Sequence, residues 1–243
     1  MGVAESGIRP HPDVVRVFER LTTPHLADAC LRQGTPLRAA PPGLAPVVAG
    51  WRLAGPARPA RHVGSVDIFL EAIERSNPGD VLIVDNGGRG DEGCVGDLTA
   101  LEARAAGLAG ILIWGSHRDT AELEAVGLPV FSYGVFPAGP RRLDPRPAEA
   151  LTAARFGDFL VTAGDVVFAD ADGALFIEAS RVEDVLDAAS RIAGTERAQA
   201  QEVERGRTLR QQLAFAEYLA RRAGDPAYNF RDHLRRIGGA IEE

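Results

Sequence analysis

Two short runs in this 243-residue chain hold residue types that do chemistry together. Gly96-Asp97-Leu98 stands where a helix is expected to begin, so free backbone N–H groups and the helix dipole offer a seat for an anion. Glycine there lets a ligand carboxylate come close to the backbone. Asp97 reads either as part of that seat or as a plain N-cap. Gly115-Ser-His-Arg-Asp119 follows a buried-strand run ending at Trp114, and in open α/β folds ligands gather at the carboxyl ends of such strands. In that place Asp119 would hold a metal ion while the Arg118 guanidinium forks substrate oxygens. Read in isolation, Arg118 and Asp119 are an ordinary surface pair, and His117 is a structural residue.

The surrounding pattern supplies elements to position these runs. Val14, Val17, Phe18 and Leu21 recur at helical spacing, and Thr22 or Thr23 with Pro24 opens a second helix that ends at Gly34. The proline-rich stretch 36–46 reads as irregular. Short β-like and helical runs then alternate. One or two strands fall within 47–60, a helix over 66–75, a strand over 81–85 entered from Pro78-Gly79-Asp80, and a Gly-rich loop over 87–90. A helix is predicted over 97–106, stopped by Gly107, then a strand over 110–114, a helix over 120–126 and a strand over 129–132. A loop rich in Pro, Gly and Arg covers 136–147, and a hairpin-rich sheet covers 156–180. Beyond Arg181 the chain reads as helix over 182–206 and again over 209–223, followed by a tail with Tyr228 and Phe230. A segment with such amphipathic helices and aromatics is expected to pack on a neighbour.

Composition excludes several classes of function. All 27 basic residues are Arg, so an imine-forming lysine, a lysine-anchored pyridoxal phosphate and the Walker phosphate loop are all ruled out. A net charge of −7 argues against a nucleic-acid groove, and the arginines of the last third are interleaved with acids. No run reaches the ~18–20 apolar residues of a membrane span, and the first residues do not read as a secretory or a myristoylation signal. Two cysteines make no disulfide framework. The expectation is a cytoplasmic protein with no nucleic-acid or membrane partner.

Asp97, twenty residues, then Arg118-Asp119, set among Gly-Asp-Leu, Ala-x3-Gly-Leu-Ala-Gly, Gly-x-x-Arg-Asp and Gly-Leu-Pro-Val-Phe, resembles the class II pyruvate aldolases. These act on 4-hydroxy-4-methyl-2-oxoglutarate and 4-carboxy-4-hydroxy-2-oxoadipate, and they share a fold with the protein-binding regulator of ribonuclease E activity A. Further matches are Thr23-Pro-His-Leu-Ala-Asp28-Ala, Pro78-Gly-Asp-Val-Leu-Ile-Val-Asp85 and Ala163-Gly-Asp-Val-Val-Phe-Ala-Asp-Ala-Asp-Gly173. The resemblance runs over about residues 20–206 and is carried by the order and spacing of motifs that are each weak alone.

The resemblance implies an α/β fold, a swivelling ββα sandwich with a helical C-terminal extension. A catalytic domain over 1–194 would precede a helical arm over 195–243 that packs on a neighbouring subunit of a trimer or hexamer. It implies Mg²⁺ or Mn²⁺ as cofactor, Asp119 as metal ligand, Asp97 holding metal-bound water, and Arg118 on the pyruvyl oxygens. The Gly96-Asp97-Leu98 backbone would receive the substrate carboxylate. A glutamate from a neighbouring subunit completes the family's site, with Glu196 the best positional match and Glu202 and Glu204 close by. The reaction implied is retro-aldol release of pyruvate from a 4-hydroxy-2-oxo acid, with oxaloacetate decarboxylation through the same enolate. Such a metal would do the work of the missing lysine.

Some features depart from the family pattern. His117 stands where many relatives carry a small apolar residue, and the 136–147 loop with Arg141-Arg142 has no counterpart. Arg52, Arg58, Arg61 and His62 read as a second carboxylate anchor or as exposed strand residues. The competing readings are a non-catalytic regulator that binds a protein partner, and a phosphohistidine carrier resting on His117 alone. A methyltransferase reading lacks a Rossmann pattern after Gly87–Gly90.

Overall fold

The computed structural model describes residues 13–238. Expectations placed on 1–12 and 239–243, including the outer ends of both expected domains and the reading of the N-terminus, lie outside the described residues. Helices α1 (Asp13–Phe18) and α2 (Thr23–Gln33) open the chain. Thr22 starts α2 by donating its backbone N–H to His25 Nδ1 at 3.0 Å, and Gly34, at φ 64°, ends it. Glycine is needed at such a left-handed C-terminal turn because a Cβ would be strained there.

The next segment contains β1 (Ala45–Pro46), β2 (Leu53–Arg61), α3 (Asp67–Glu74), β3 (Val81–Val95), α4 (Asp97–Ala105), β4 (Gly110–His117), α5 (Thr120–Val126) and β5 (Val130–Ser132). After the irregular stretch 136–147 come the hairpin β6 (Ala153–Phe156) and β7 (Phe159–Thr162), then β8 (Asp165–Asp170) and β9 (Gly173–Glu178). Seven strands form one sheet in the order β1-β5-β4-β3-β2-β8-β9, and β6 pairs with β7. β2, β3, β4 and β5 are mutually parallel, whereas β8 and β9 join antiparallel at the β2 edge.

The central strands are apolar on both sides, as parallel strands covered on two faces must be. Alternation sorts them. Leu82, Val84, Ile111 and Ile113 pack with Ile68 and Phe69 of α3, Ala100 and Ala103 of α4, and Leu123 of α5. Val81, Ile83 and Leu112 face the other way, onto Phe156 and Val161 of the hairpin and Val167 and Phe176 of the β8–β9 pair. This is the expected ββα layering, with helices on one face of the sheet and strands on the other. Phe69 and Phe131 are fully buried; truncating either to Ala would cost about 3–5 kcal/mol.

One sequence expectation fails here. Gly87–Gly90 is part of β3 and not a loop. Ten steps of β3, from Asp85 to Val95, run beside three steps of β4, from Trp114 to His117, and the surplus is taken up in irregularities of register. Gly88, at φ 70°, faces the Trp114 indole, where a Cβ would lie 2.9 Å from the ring. Turn-rich composition looks like a loop in sequence, yet bulges use the same residues.

The chain divides into two compact units, one ending at Leu186 and one beginning at Asp187, within helix α6 (Val182–Glu204). The second unit continues with α7 (Leu209–Gln212), α8 (Phe215–Gly224) and α9 (Phe230–Ile237). The single helix expected over 209–223 is broken at Ala214, which has φ 47°. The expected tail contains α9, whose cap Asn229 accepts a hydrogen bond from the Asp232 N–H at 3.0 Å. Phe230 stacks on the fully buried His233 while Tyr218 meets Phe230 edge-on, and His233 Nε2 meets the Leu213 carbonyl at 2.9 Å. Among the described residues no helix is long and apolar enough to cross a membrane.

Candidate functional site

The bulged end of β3 delivers its last residues to the end of β4. The Arg118 N–H donates to the Val95 carbonyl at 2.9 Å, and Val95 pairs in register with His117. Gly96 then caps α4, and Asp97 is that helix's first residue. The run Gly96–Leu98 therefore meets the strand end that carries Arg118 and Asp119, although the two runs are twenty residues apart in sequence.

Contact at this junction is close. Gly96 has φ −133°, a backbone any residue adopts, so its glycine is not a conformational requirement. Space is the reason: a Cβ at Gly96 would lie 2.2 Å from Asp119 Oδ2 and 3.2 Å from Arg118 Nε. Arg118 Nε and Asp119 Oδ2 form a partly exposed ion pair at 3.5 Å. Asp119 takes a left-handed backbone, φ 59° and ψ 46°, and caps α5 without a side-chain capping bond. A non-glycine residue there is uncommon, and Asp is among the few that tolerate it. The turn directs the carboxylate away from its own helix and toward Gly96.

Asp97 and Leu98 are placed together, with one restriction. The Asp97 carboxylate accepts the Leu98 N–H at 2.7 Å, so this amide of the proposed seat is already engaged. The Leu98 side chain is 75% exposed and borders an apolar groove with Val66, Leu70 and Leu101. Glu196, on α6, lies in the second unit, and its side chain is exposed.

His117 is structural, as its residue type and place suggested. Nδ1 meets Ser132 Oγ at 2.7 Å and Nε2 meets Thr120 Oγ1 at 3.0 Å. Burial holds its pKa below the ordinary value, against the opposing pull of the Gly134 backbone and Asp119. An imidazole with both nitrogens so engaged offers no phosphoryl acceptor.

The second carboxylate anchor separates into parts. Arg58 is taken up by the buried Asp80, with Nη2 to Oδ2 at 2.6 Å. Arg52 donates to the Phe18 carbonyl at 2.9 Å and stacks on the Phe18 ring. Arg61 and His62 instead line a cleft of about 380 Å³ with Asn86, Arg142 and Arg155. His62 is buried rather than exposed, and burial is the main cause that lowers its pKa.

Sequence reasoning missed two glycines of the site. A Cβ at Gly93 would meet Arg118 Cβ at 2.9 Å and the Phe136 carbonyl at 2.4 Å, and one at Gly139 would lie 2.8 Å from Arg118 Nη1. A lone glycine in sequence carries no sign of the side chain that folding will bring against it.

The donor set fits a hard divalent ion of the Mg²⁺ type. Among the described residues no group of three or more His, Cys, Asp and Glu side chains is placed to hold a metal. That rules against an all-protein cage, but Mg²⁺ keeps several waters and needs only one or two carboxylates with substrate oxygens. Asp119, facing the space left by the missing Gly96 side chain, meets that requirement.

Known proteins resemble this chain in sequence and in fold. A 4-hydroxy-4-methyl-2-oxoglutarate aldolase, so named provisionally, from Halalkalibacterium halodurans is 27% identical over 141 residues. The match covers 58% of this chain and 66% of that relative, just under two thirds. A protein of the same provisional name from Alkalilimnicola ehrlichii is 30% identical over 132 residues, covering 54% of this chain and 81% of its own. A solved structure of an uncharacterized protein from Pseudomonas syringae pv. tomato superposes with a TM-score of 0.71 at 25% identity, covering 84% of this chain and 98% of that one. The Streptomyces coelicolor protein RraAS2, described as an unusual member of the RNase ES inhibitor RraA family, superposes at 0.67 with 28% identity, covering 81% and 98%. The RraA-like family model, aldolase/RraA, matches residues 23–176, from the start of α2 through both strands of the site into β9. The chain belongs to the aldolase/RraA family.

Proposed function

We propose that this protein is a divalent-metal-dependent lyase that releases pyruvate from a 4-hydroxy-2-oxo acid by retro-aldol cleavage, with oxaloacetate decarboxylation as a side activity. The substrate is of the 4-hydroxy-4-methyl-2-oxoglutarate or 4-carboxy-4-hydroxy-2-oxoadipate type. The observation that carries the reading is the packing of Gly96 against Asp119 and Arg118, which brings a helix N-terminus, a carboxylate and a guanidinium to one point. The provisional aldolase names of the relatives support it. So does the absence of lysine, which leaves imine chemistry without a nucleophile.

Asp119, with Asp97 near it in the site, would hold Mg²⁺ or Mn²⁺, which when bound polarises the 2-keto group and stabilises negative charge. Arg118 forks the pyruvyl oxygens and stabilises the charge that develops as the C3–C4 bond breaks and its electron pair moves into the enolate. The N-terminus of α4 at Gly96–Leu98 receives the C1 carboxylate. Asp97, on leaving the Leu98 N–H, helps move the proton off the C4 hydroxyl. Glu196 of a second copy completes the site within a trimer or hexamer.

The test is pyruvate formation from oxaloacetate and from a panel of 4-hydroxy-2-oxo acids. Turnover with Mg²⁺ or Mn²⁺ that stops on chelation is expected, and turnover that survives chelation contradicts the reading. The Streptomyces neighbour's description favours one alternative, a regulator that binds a protein partner without catalysis. A stoichiometric partner together with no metal-dependent turnover on the whole panel would select it.

A further inference from the structure

The loop 136–147 carries Arg141-Arg142, and the chemistry above gives it no role. It closes on Arg118 from two sides. The Phe136 N–H donates to the His117 carbonyl at 2.9 Å, and the Gly93 N–H donates to the Ala138 carbonyl at 2.8 Å. Directly after Ala138, Gly139 lies so close to Arg118 Nη1 that a Cβ would be 2.8 Å away.

Farther along, the loop is anchored in buried ground. Arg142 Nη2 donates to Glu92 Oε1 at 2.9 Å, its Nε donates to the same oxygen at 3.1 Å, and Nη2 also reaches Asn86 Oδ1 at 2.8 Å. Glu92 is 4% exposed and Asn86 is 1% exposed. Asn86 Oδ1 also meets His62 Nδ1 at 2.8 Å, and the Asp144 N–H donates to the Val63 carbonyl at 2.8 Å. Glu92 and Gly93 are neighbours on β3. The strand that receives the Arg142 guanidinium therefore receives the Ala138 carbonyl at the very next residue.

We propose that Arg142 is a positioning residue: its ion pair with Glu92 holds the loop 136–147 so that Gly139 fixes the Arg118 guanidinium for the 2-oxo acid. This rests on the lyase reading above. An arginine left open to solvent samples many rotamers, and a backbone wall removes those that point away from the substrate. A charge-assisted pair to a buried carboxylate is strong enough to anchor such a wall. Misplacement of a binding group by about 1 Å costs on the order of 10²-fold in rate, so the anchor reaches the chemistry without touching the substrate.

The experiment compares full-length wild type with Arg142→Ala, Arg142→Lys and Gly139→Ala, in the presence of Mg²⁺ and with oxaloacetate as the probe. Gly139 has an ordinary backbone, so its alanine variant keeps the fold and pushes only the far end of Arg118. KM is expected to rise about tenfold or more in Gly139→Ala and Arg142→Ala, the scale of a disturbed binding group, with a smaller change in kcat and partial rescue by Arg142→Lys. The Gly93 amide should exchange with deuterium faster in Arg142→Ala than in wild type. Unchanged KM in both variants, or unchanged Gly93 exchange in Arg142→Ala, overturns the proposal. If Arg142→Ala does not fold, Gly139→Ala decides by its KM alone. If the wild type turns over no 2-oxo acid, the lyase reading fails and positioning is read from the modification of Arg118 by phenylglyoxal, followed by peptide mass. Faster modification in Arg142→Ala than in wild type then supports the anchor, and an equal rate sinks it.

Discussion

Gly96 and Asp119 occupy neighbouring space that only a hydrogen at Gly96 leaves open: a methyl group there would sit 2.2 Å from Asp119 Oδ2. Because the Gly96 backbone is ordinary, Gly96→Ala tests proximity without adding backbone strain. The expected result is a fall of about 10²-fold in metal-dependent pyruvate release, the penalty for a displaced charge-stabilising group. Far-ultraviolet circular dichroism should be unchanged. A Gly96→Ala enzyme with wild-type rates would show that Asp119 does not act from this position.

The left-handed backbone at Asp119 allows charge and strain to be separated. Asn is favoured in that region and Ala is not, so Asp119→Asn removes the charge and keeps the turn. We expect Asp119→Asn to hold Tm within about 2 °C while losing about 10²-fold or more in turnover. Asp119→Ala should lose as much activity and also unfold earlier, by about 1 kcal/mol of added backbone cost. Equal thermal stability of the two variants would contradict the strain argument.

Arg118→Ala removes the guanidinium that the lyase reading sets against the pyruvyl oxygens, and a similar loss of about 10²-fold is expected in kcat/KM. Steady-state kinetics with oxaloacetate decide it. Retention of near-wild-type efficiency would remove Arg118 from the site.

Acid should weaken the fold through two imidazoles. His62 and His117 are buried and held below the ordinary 6.5, chiefly by burial, so both enter the native state neutral. The unfolded chain takes up protons near pH ~6.5, while the folded chain resists until lower pH. The unfolded state thus binds more protons in that window, and stability present above about 6.5 drains away as pH falls below it. Thermal unfolding between about pH 8 and pH 5 should show Tm falling below that point, with a shallower fall in His117→Gln. A Tm independent of pH across the range would refute the assignment.

The two thiols should be inert. Burial pushes Cys94 up to about 12 and also raises Cys30, so little thiolate exists near neutrality. Labelling of native protein with iodoacetamide near pH 8 should be slow and should become rapid in denaturant. Fast native labelling of either cysteine would overturn this.

Much of the scaffold was readable because burial on both faces forces continuous apolar runs. Val81–Val84 and Ile111–Ile113 could hardly be anything but central strands. The pairing of Gly96-Asp97-Leu98 with Arg118-Asp119 was legible only through the motif spacing that carries the family resemblance, because the strand leading into Gly96 was hidden behind a glycine-rich run that reads as a loop. What escaped depends on contacts between distant residues. Gly93 and Gly139 acquire meaning only through Arg118, and Arg142 only through Glu92. The break at Ala214 escaped because alanine favours helix, and the left-handed turn there runs against that local preference. His62 looked like a surface strand residue because nothing in its neighbours' types revealed the Asn86 and Arg142 that enclose it.

The uneven partnership of β3 and β4 has a consequence for how such a protein can diversify. Hydrophobic pairing locks 81–85 against 110–114, and a slip of one position there would turn every core residue outward. The exposed stretch 87–91 bears no such hydrophobic constraint, because the surplus length of β3 is taken up around it in irregularities of register. Insertions or deletions in it would alter the rim of the cleft lined by Arg61 and His62 while leaving the apolar layers untouched, so the same frame can be refitted to ligands of different size.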